Sequence, residues 1–292
     1  MRRIDPVAAA IRIAGERDAG LGARLEGLQL RRRGDLGFRV MRALVNEGET
    51  VLDVGASFGI YTYELARRVG PRGRVHAIEP DPPSVVRLEQ MRQGRPNITV
   101  HPVALSDRTG TATLHVPVVG GRRVGTLASL AVPSWRVTLD HVTVTVDLKP
   151  LDSILPADGR PVSFLKVDVE GHELAVLRGA TATLRTLPAM LIEIEQRHQE
   201  TDIRPTFDLL RSMGYIGYAI GDRALMPLAE FDVTRDQLAF VTKEVVQHRT
   251  MPSAYIHDFL FVRPGTDVGK LPVSVGPRTA SATRAGSTSR TI

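Results

Sequence analysis

Several features are missing from this 292-residue chain, and each absence removes a class of function. There is no cysteine, which excludes disulfides, thiolate nucleophiles, iron–sulfur clusters and cysteine-ligated zinc. No uninterrupted apolar run approaches the ~18 residues expected of a membrane-spanning helix. Aromatic residues make up 5% of the chain, so few side chains are available to stack on nucleic-acid bases.

Lysine is also scarce, because four of the 38 basic residues are lysines and the rest are arginines. The formal net charge of +6 favours anions in general. Apart from the run Arg31–Arg33 the arginines are scattered, so nucleic acid is a disfavoured partner and a small-molecule acceptor is expected. The first residues show neither a long apolar stretch nor a cleavage site, so we expect a cytoplasmic protein without membrane association. The sequence leaves the oligomeric state open.

Strand-like and helix-like patterns alternate along the chain, which is typical of a parallel sheet covered by helices on both faces. The predicted strands are Thr50–Val54, Arg74–Ile78, Ile98–Val103, Ser163–Val169 and Ala189–Glu195, and the predicted helices are Ile60–Val69, Pro82–Met91 and His172–Leu184. Two further strands, Ile216–Ile220 and Ile256–Val262, are expected to pair antiparallel at the edge of the sheet. The predicted fold class is therefore α/β: a Rossmann-like, mostly parallel central sheet with an antiparallel edge strand.

The chain divides into three regions of different pattern. Residues 1–45 have apolar positions at helical spacing and predict an N-terminal helical extension. Residues 46–264 form the α/β domain, in which the β-rich segment 111–146 breaks the rhythm and is expected to cover the active-site end of the sheet. Residues 265–292 are rich in Gly, Ser and Thr and predict a disordered tail.

The loop after the first predicted strand has the spacing D-x-G-x-x-x-G, formed by Asp53, Gly55 and Gly59, with Ser57 between the glycines. Open α/β sheets bind ligands at the carboxyl ends of their strands, and glycine lets the backbone approach a ligand closely. The spacing differs from the G-x-G-x-x-G of dinucleotide-binding proteins. S-adenosylmethionine carries a sulfonium cation and no phosphate, so Asp53 beside the loop favours it. An ordinary strand–turn–helix connection is the alternative.

Acidic residues also follow the next two strands. Glu79 ends the second strand, where an acid commonly binds the ribose hydroxyls of an adenosine-containing cofactor. Asp107 lies just past the third strand, where it is expected to accept the adenine amino group unless it is merely a turn residue. The predicted site for S-adenosyl-L-methionine therefore comprises Asp53, Gly55, Ser57, Gly59, Glu79 and Asp107.

A charged block ends the next predicted strand. Lys166, Asp168 and Glu170 alternate there with apolar residues. Charges at the end of a central strand are costly unless they are paired or used. We therefore predict that Asp168 lines the reaction site, whereas Glu173 in the first turn of the following helix is expected to be structural.

The segments VLDVGASFGIYT, AIEP, VALSD, LKVDVEGHELAVLRGA and LIEIE, in this order, resemble the FkbM-family methyltransferases over roughly residues 45–200. The resemblance implies a class I methyltransferase fold and methyl transfer from S-adenosylmethionine, usually to a hydroxyl of a sugar, polyketide or related metabolite. The family often has Asn in place of Ser57 and a small residue in place of His172. Ser57 keeps hydrogen-bonding ability, and His172 is expected to serve the acceptor of this particular chain.

Methylation of a hydroxyl also removes its proton, so a general base is expected. Asp168 and His172 are the predicted catalytic residues, and Glu193, Glu195 and His198 are alternatives. A divalent metal held by the last three is possible but not favoured, because their spacing is not diagnostic. An NAD-dependent oxidoreductase and a non-catalytic Rossmann-like binding module are the competing functions. The loop spacing disfavours the first, and the set of acidic and glycine residues disfavours the second.

Overall fold

A nine-stranded sheet forms the centre of the computed structural model, which describes residue 15 and residues 18–132, 139–241, 250–276 and 290–291. From edge to edge its strands are β3 (Ile98–His101), β2 (Arg74–Ile78), β1 (Thr50–Val54), β8 (Val162–Val167), β9 (Ala189–Glu193), β13 (Asp258–Val262), β10 (Ile216–Ile220), β11 (Ala224–Pro227) and β14 (Ser274–Val275). The first five run parallel, and β13 is antiparallel to both of its neighbours. The predicted α/β class with a mostly parallel sheet is confirmed.

Helices cover both faces of this sheet because successive side chains of its buried strands point to opposite sides. Val51 and Phe164 face one core, and their neighbours Leu52 and Leu165 face the other. The first core is covered by α1 (Ala19–Arg33), α2 (Leu36–Leu44), α3 (Ile60–Val69) and α4 (Pro82–Gln93). The second is covered by α5 (Glu173–Arg178), α6 (Thr181–Leu184), α7 (Arg204–Ser212) and the short α8 (Val233–Asp236). Short 3-10 turns are Gly125–Leu127, Leu151–Ser153, Gln196–His198, Leu228–Glu230, Leu238–Phe240 and Val268–Lys270.

The β-rich segment forms a second sheet of four strands, in the order β4 (Ala104–Leu105), β7 (Asp140–Lys149), β5 (Gly110–Val119) and β6 (Arg122–Arg123). Its small apolar cluster contains Leu114, Val116, Val146 and Leu148. Residues 133–138 of the predicted insertion lie outside the described residues. Separately, β12 (Thr250–Met251) pairs with β15 (Arg290–Thr291). We call the part of the second sheet formed by β5, β6 and the residues 124–130 that follow them the arm.

The end of the chain differs from the prediction of a tail that is disordered from residue 265. Leu271 is buried against the sheet, and β14 pairs with β11. Three apolar residues of this stretch, Val268, Leu271 and Val273, pack on the first core, which corrects the prediction for residues 265–276. Residues 277–289 and 292 lie outside the described residues. The antiparallel pairing of β10 with β13 is confirmed, but β11 and β14 lie beyond it, so the pair is not at the edge.

Smaller differences concern the ends of elements. The predicted helix from His172 to Leu184 is two short helices, because the chain bends at Gly179. A Cβ at Gly179 would lie 2.0 Å from the backbone oxygen of Ser106, so that close approach requires glycine. In the predicted helical extension, residues 1–14, 16 and 17 lie outside the described residues, and α2 buries Phe38 and Met41 fully. Within the described part of the chain, no helix is both long and apolar enough to cross a membrane.

Candidate active site

A pocket opens at the carboxyl ends of β1, β2 and β8, beneath the arm. The β1–α3 loop, the end of β2 and the end of β8 supply its polar side chains, and the arm supplies mostly small and apolar ones. Its lining residues include Gly55, Ser57, Tyr61, Glu79, Val103, Ala104, Leu105, Leu114, Gly125, Thr126, Ser129, Leu130, Lys166, Asp168, Glu170 and His172. The predicted residues Gly55, Ser57, Glu79, Asp168 and His172 therefore share one cavity.

The two glycines of the loop have different structural roles. Gly55 has a φ of +76°, and a Cβ there would lie 1.7 Å from the backbone oxygen of Asp168. Gly59 has a φ of +82° and is the N-cap of α3, and a Cβ there would lie 2.6 Å from Cε of Met91. Gly55 thus allows the β1–α3 loop to approach the backbone just after β8. Gly59 instead allows α3 to pack closely against α4, and it does not line the described pocket.

Asp53 lies beneath the loop rather than in the pocket. Its side chain is fully buried, and its Oδ2 accepts a hydrogen bond of 2.6 Å from the hydroxyl of Thr62 in α3. Burial raises the pKa of Asp53, while the charge of Lys166 opposes that shift. The carboxylate therefore anchors the start of α3 and acts on the pocket through its charge.

Glu79 forms one wall of the pocket and is buried. Its Oε2 accepts from the backbone N–H of Ser57 at 2.7 Å, and its Oε1 accepts from that of Asp81 at 2.8 Å. Burial raises the pKa of Glu79 to about 7, and the two backbone donors work against that rise. Because a carboxylate offers about four acceptor positions, Glu79 retains acceptor capacity toward a ligand.

Asp107 lies on an exposed turn and does not line the described pocket. Its Oδ1 is 3.7 Å from the guanidinium of Arg108. The pocket wall beside it consists of Val103, Ala104 and Leu105, an apolar surface that the sequence analysis passed over. The expected contact between Asp107 and an adenine amino group therefore has no support from the geometry.

Asp168 faces the pocket and is held by Lys166, whose Nζ lies 3.0 Å from Asp168 Oδ2. Lys166 Nζ also lies 4.7 Å from the ring centre of Tyr61, a pocket residue that the sequence analysis did not single out. Burial acts to lower the pKa of Lys166, but the charges of Asp168 and Asp53 raise it overall. The lysine is thus a fixed cation at the floor of the site.

His172 lies immediately before α5 and faces the same pocket. Its Nε2 is 3.1 Å from Oγ of Ser106. Burial lowers the pKa of His172, although the charge of Asp107 opposes the shift, so the ring is neutral around pH 7 and able to accept a proton. Glu173, in contrast, accepts from the backbone N–H of Gly171 at 2.9 Å and holds the exit turn.

The other acidic and histidine candidates lie behind the pocket. Glu195 is buried in an ion pair with Arg197 and accepts a hydrogen bond from Tyr255. His198 Nδ1 lies 3.3 Å from Glu170 Oε2, and its Nε2 lies 3.7 Å from Glu195 Oε1. Among these residues, Glu170 is the member that reaches the described pocket lining.

Two sets in this region bring potential metal ligands within 4.8 Å of one another: Glu170 with Glu193 and His198, and Glu193 with Glu195 and His257. Carboxylate oxygens and imidazole nitrogens are ligands for several divalent metals. Protein cations and donors already contact most of these groups, including Arg197 on Glu195 and His257 on Glu193. The arrangement is therefore explained by ion pairing within the protein.

Comparison with known proteins gives one family and several relatives. A family model described as "Methyltransferase FkbM domain" matches residues 53–216, more than half of the chain. The hexuronic acid methyltransferase AglP of Haloferax volcanii is 28% identical over 173 residues, which are 56% of this chain and 64% of that protein. The match thus spans less than two thirds of the relative's own length.

Solved structures are more distant. The methyltransferase FkbM of Methylobacillus flagellatus has a TM-score of 0.46 and 16% identity, covering 88% of this chain and 58% of its own. A SAM-dependent O-methyltransferase of Thermotoga maritima has a TM-score of 0.41 and 14% identity, covering 84% of this chain and 66% of its own.

Proposed function

This chain belongs to the FkbM methyltransferase family, and we propose that it transfers a methyl group from S-adenosylmethionine to a hydroxyl of a small molecule. The observation that carries the proposal is one cavity that joins the glycine loop, the buried carboxylate of Glu79 and the Lys166–Asp168 pair. A cofactor side and a reaction side therefore meet within a single pocket.

The cofactor side fits an adenosyl group. Glu79 has acceptor capacity for two ribose hydroxyls, and the apolar wall Val103–Leu105 suits a base. Ser57 Oγ is buried and has no hydrogen-bond partner among the described residues, which leaves it available to a ligand. When bound, S-adenosylmethionine supplies an electrophilic methyl group for in-line displacement by the acceptor oxygen.

On the reaction side, the residues orient an acceptor hydroxyl and take up its proton. Asp168 is fixed by Lys166 and accepts a hydrogen bond from the hydroxyl. Burial lowers the pKa of His172 and so favours the neutral ring, which serves as the general base, while the hydroxyl of Ser106, 3.1 Å from Nε2, holds the ring in place. Asp168 takes over as the base if the acceptor binds nearer to Lys166.

A sugar hydroxyl is the preferred acceptor, because the curated relative is named for methylation of a hexuronic acid. Carboxylates and a lysine at the pocket floor also match the hydrogen-bonding pattern of a polyhydroxylated ring. A polyketide-type hydroxyl is the second candidate. Incubation with labelled S-adenosylmethionine and a panel of uronic acids, neutral glycosides and polyketides separates them, and repeating the reaction with EDTA tests dependence on a metal.

Calorimetry tests the cofactor assignment without an acceptor. We expect binding of S-adenosylmethionine and S-adenosylhomocysteine and no binding of NAD; the reverse result would make the protein an oxidoreductase, and no binding at all a non-catalytic module. Glu79→Ala should weaken binding by about 1.5–3 kcal/mol, the range for hydrogen bonds to a charged group. The matched control is Glu89→Ala, which removes an exposed glutamate of α4 outside the described pocket. Equal affinity in both variants would remove Glu79 from the ribose role.

A further inference from the structure

A second cleft lies between α1 and α3, next to the pocket described above. Its walls are apolar or small at Ala23, Gly27, Leu28, Ile60 and Tyr63, and charged at Arg24, Arg31, Glu64 and Arg67. Ile60 in the first turn of α3 lines both cavities, so the two share a wall at that residue.

One carboxylate forms ion pairs with two guanidinium groups beside this cleft. Glu64 is buried, with 7% of its side chain exposed, and pairs with both Arg67 and Arg42. Arg67 reaches it with two nitrogens, at 2.7 and 3.1 Å. Both oxygens of Glu64 therefore already contact arginines, and its single negative charge neutralises at most one of these two partners.

The other two arginines of the cleft, Arg24 and Arg31, have no such partner among the described residues. Arg24 and Arg31 are exposed, and within the part of the chain that the structure describes neither has a carboxylate within ion-pair distance. Residues 23, 24, 27, 28 and 31 form one face of α1 at helical spacing. Glu26, the acidic residue of α1, lies off this face, beside Arg87.

The cations are close enough to affect one another. Burial is the main cause that lowers the pKa of Arg42, and the charges of Arg31, Arg67 and Arg68 add to that lowering against the pull of Glu64. Like charges around one cleft repel one another even when they are exposed, and a bound anion reduces that repulsion. Guanidinium groups match the geometry of phosphate oxygens with paired N–H donors.

We propose that the cleft between α1 and α3 binds a phosphate-type oxyanion through Arg24, Arg31 and Arg67. A single carboxylate is a poorer match, because Glu64 already supplies one and more than one positive charge remains. A phosphate group carries nearly two negative charges and three acceptor oxygens. The site is independent of the proposed methyl transfer and does not require it to be correct.

Titration of the 292-residue protein with inorganic pyrophosphate at constant ionic strength tests the proposal. Arg24→Gln with Arg31→Gln should weaken binding at least about tenfold, which corresponds to the loss of one charge-assisted contact. The matched control is Arg178→Gln with Arg185→Gln, which removes the same charge from exposed residues on the other face of the sheet. The control should bind within about twofold of the unchanged protein.

Two results overturn the proposal: no binding of pyrophosphate by the unchanged protein, or equal weakening in both double variants, which would mean attraction by net charge alone. All four substituted arginines are exposed, so melting temperatures should stay close to that of the unchanged protein. A parallel titration with a sugar 1-phosphate identifies the source of the oxyanion. If the sugar 1-phosphate binds more tightly than pyrophosphate, the oxyanion belongs to a phosphorylated sugar. If it binds more weakly, the oxyanion is a free polyphosphate.

Discussion

The arm over the pocket is held by an ion pair whose loss should weaken cofactor binding. Arg123 in β6 places one guanidinium nitrogen 2.6 Å from Oδ1 of Asp81, which immediately precedes α4 and has 3% of its side chain exposed. The backbone N–H of Asp81 donates to Glu79, so the ion pair connects the arm to the proposed ribose site. Arg123→Gln removes the charge and shortens the side chain while leaving β6 polar.

The magnitude follows from the burial of the pair. Hydrogen bonds to a charged partner contribute about 1.5–3 kcal/mol, and the 35% exposure of Arg123 places this pair below the larger cost of breaking a fully buried one. If all of that energy holds the arm closed over the cofactor, affinity falls by about 10- to 150-fold. Asp81 retains the hydroxyl of Ser84 at 3.1 Å, so α4 should keep its start.

Calorimetry with S-adenosylhomocysteine measures the effect, and Arg122→Gln is the matched control. Arg122 precedes Arg123 in the same two-residue strand, is exposed, and makes no ion pair with any described residue. A double-mutant cycle with Asp81→Asn isolates the pair, because the second substitution should have little further effect once Arg123 is gone. If Arg123→Gln and Arg122→Gln bind with the same affinity, the ion pair does not hold the arm over the cofactor.

Further predictions concern the reaction side, the end of the chain and Glu79. Asp168→Asn should lower turnover sharply without loss of fold. His172→Ala should flatten the acidic limb of the pH–rate profile, a limb that lies toward lower pH because burial lowers the pKa of His172. An unchanged profile would assign the base role to Asp168. Deleting residues 270–292 should lower the melting temperature by several degrees, since it removes Leu271 and β14 from the sheet; no change would mean that this packing contributes nothing. With a folded pKa of about 7, Glu79 makes the ligand-free protein lose stability as pH rises from about 4.5 to 7, and cofactor affinity should fall as pH drops through 7. A Glu79→Gln variant that keeps both slopes in calorimetry and thermal melts would refute this.

Local signals identified the first half of the sheet from sequence. The bounds of β1, α3 and β2 agree with the predicted ones, because each is a short apolar or amphipathic run that ends at glycine, proline or a charge. The position of β13 between β9 and β10 was harder to predict from the sequence, since it depends on pairing between segments far apart in the chain. β14 was missed for a similar reason: two residues in a Gly- and Ser-rich stretch carry no periodicity, and they pair only because β11 offers a free edge.

The same contrast between local signals and long-range contacts applies to the candidate site. Gly55, Ser57 and Glu79 lie on consecutive elements, so their proximity followed from the strand–loop–helix order. The role of Asp107 stays a prediction, because the residue lies on an exposed turn outside the described pocket lining and contacts the site through Ser106. Tyr61 and the arm residues were missed because a residue in the first turn of a helix, or in an insertion, has no motif to distinguish it from the surrounding structure.

The proposed cofactor site and the proposed anion cleft differ in how far the family match covers them. The residues proposed to bind the cofactor lie within residues 53–216, the stretch that matches the family. Arg24 and Arg31 precede that stretch, and the cleft they line meets the pocket at Ile60. The family match therefore supports the proposed methyl donor, whereas the proposed anion cleft depends partly on residues outside that match and needs its own test.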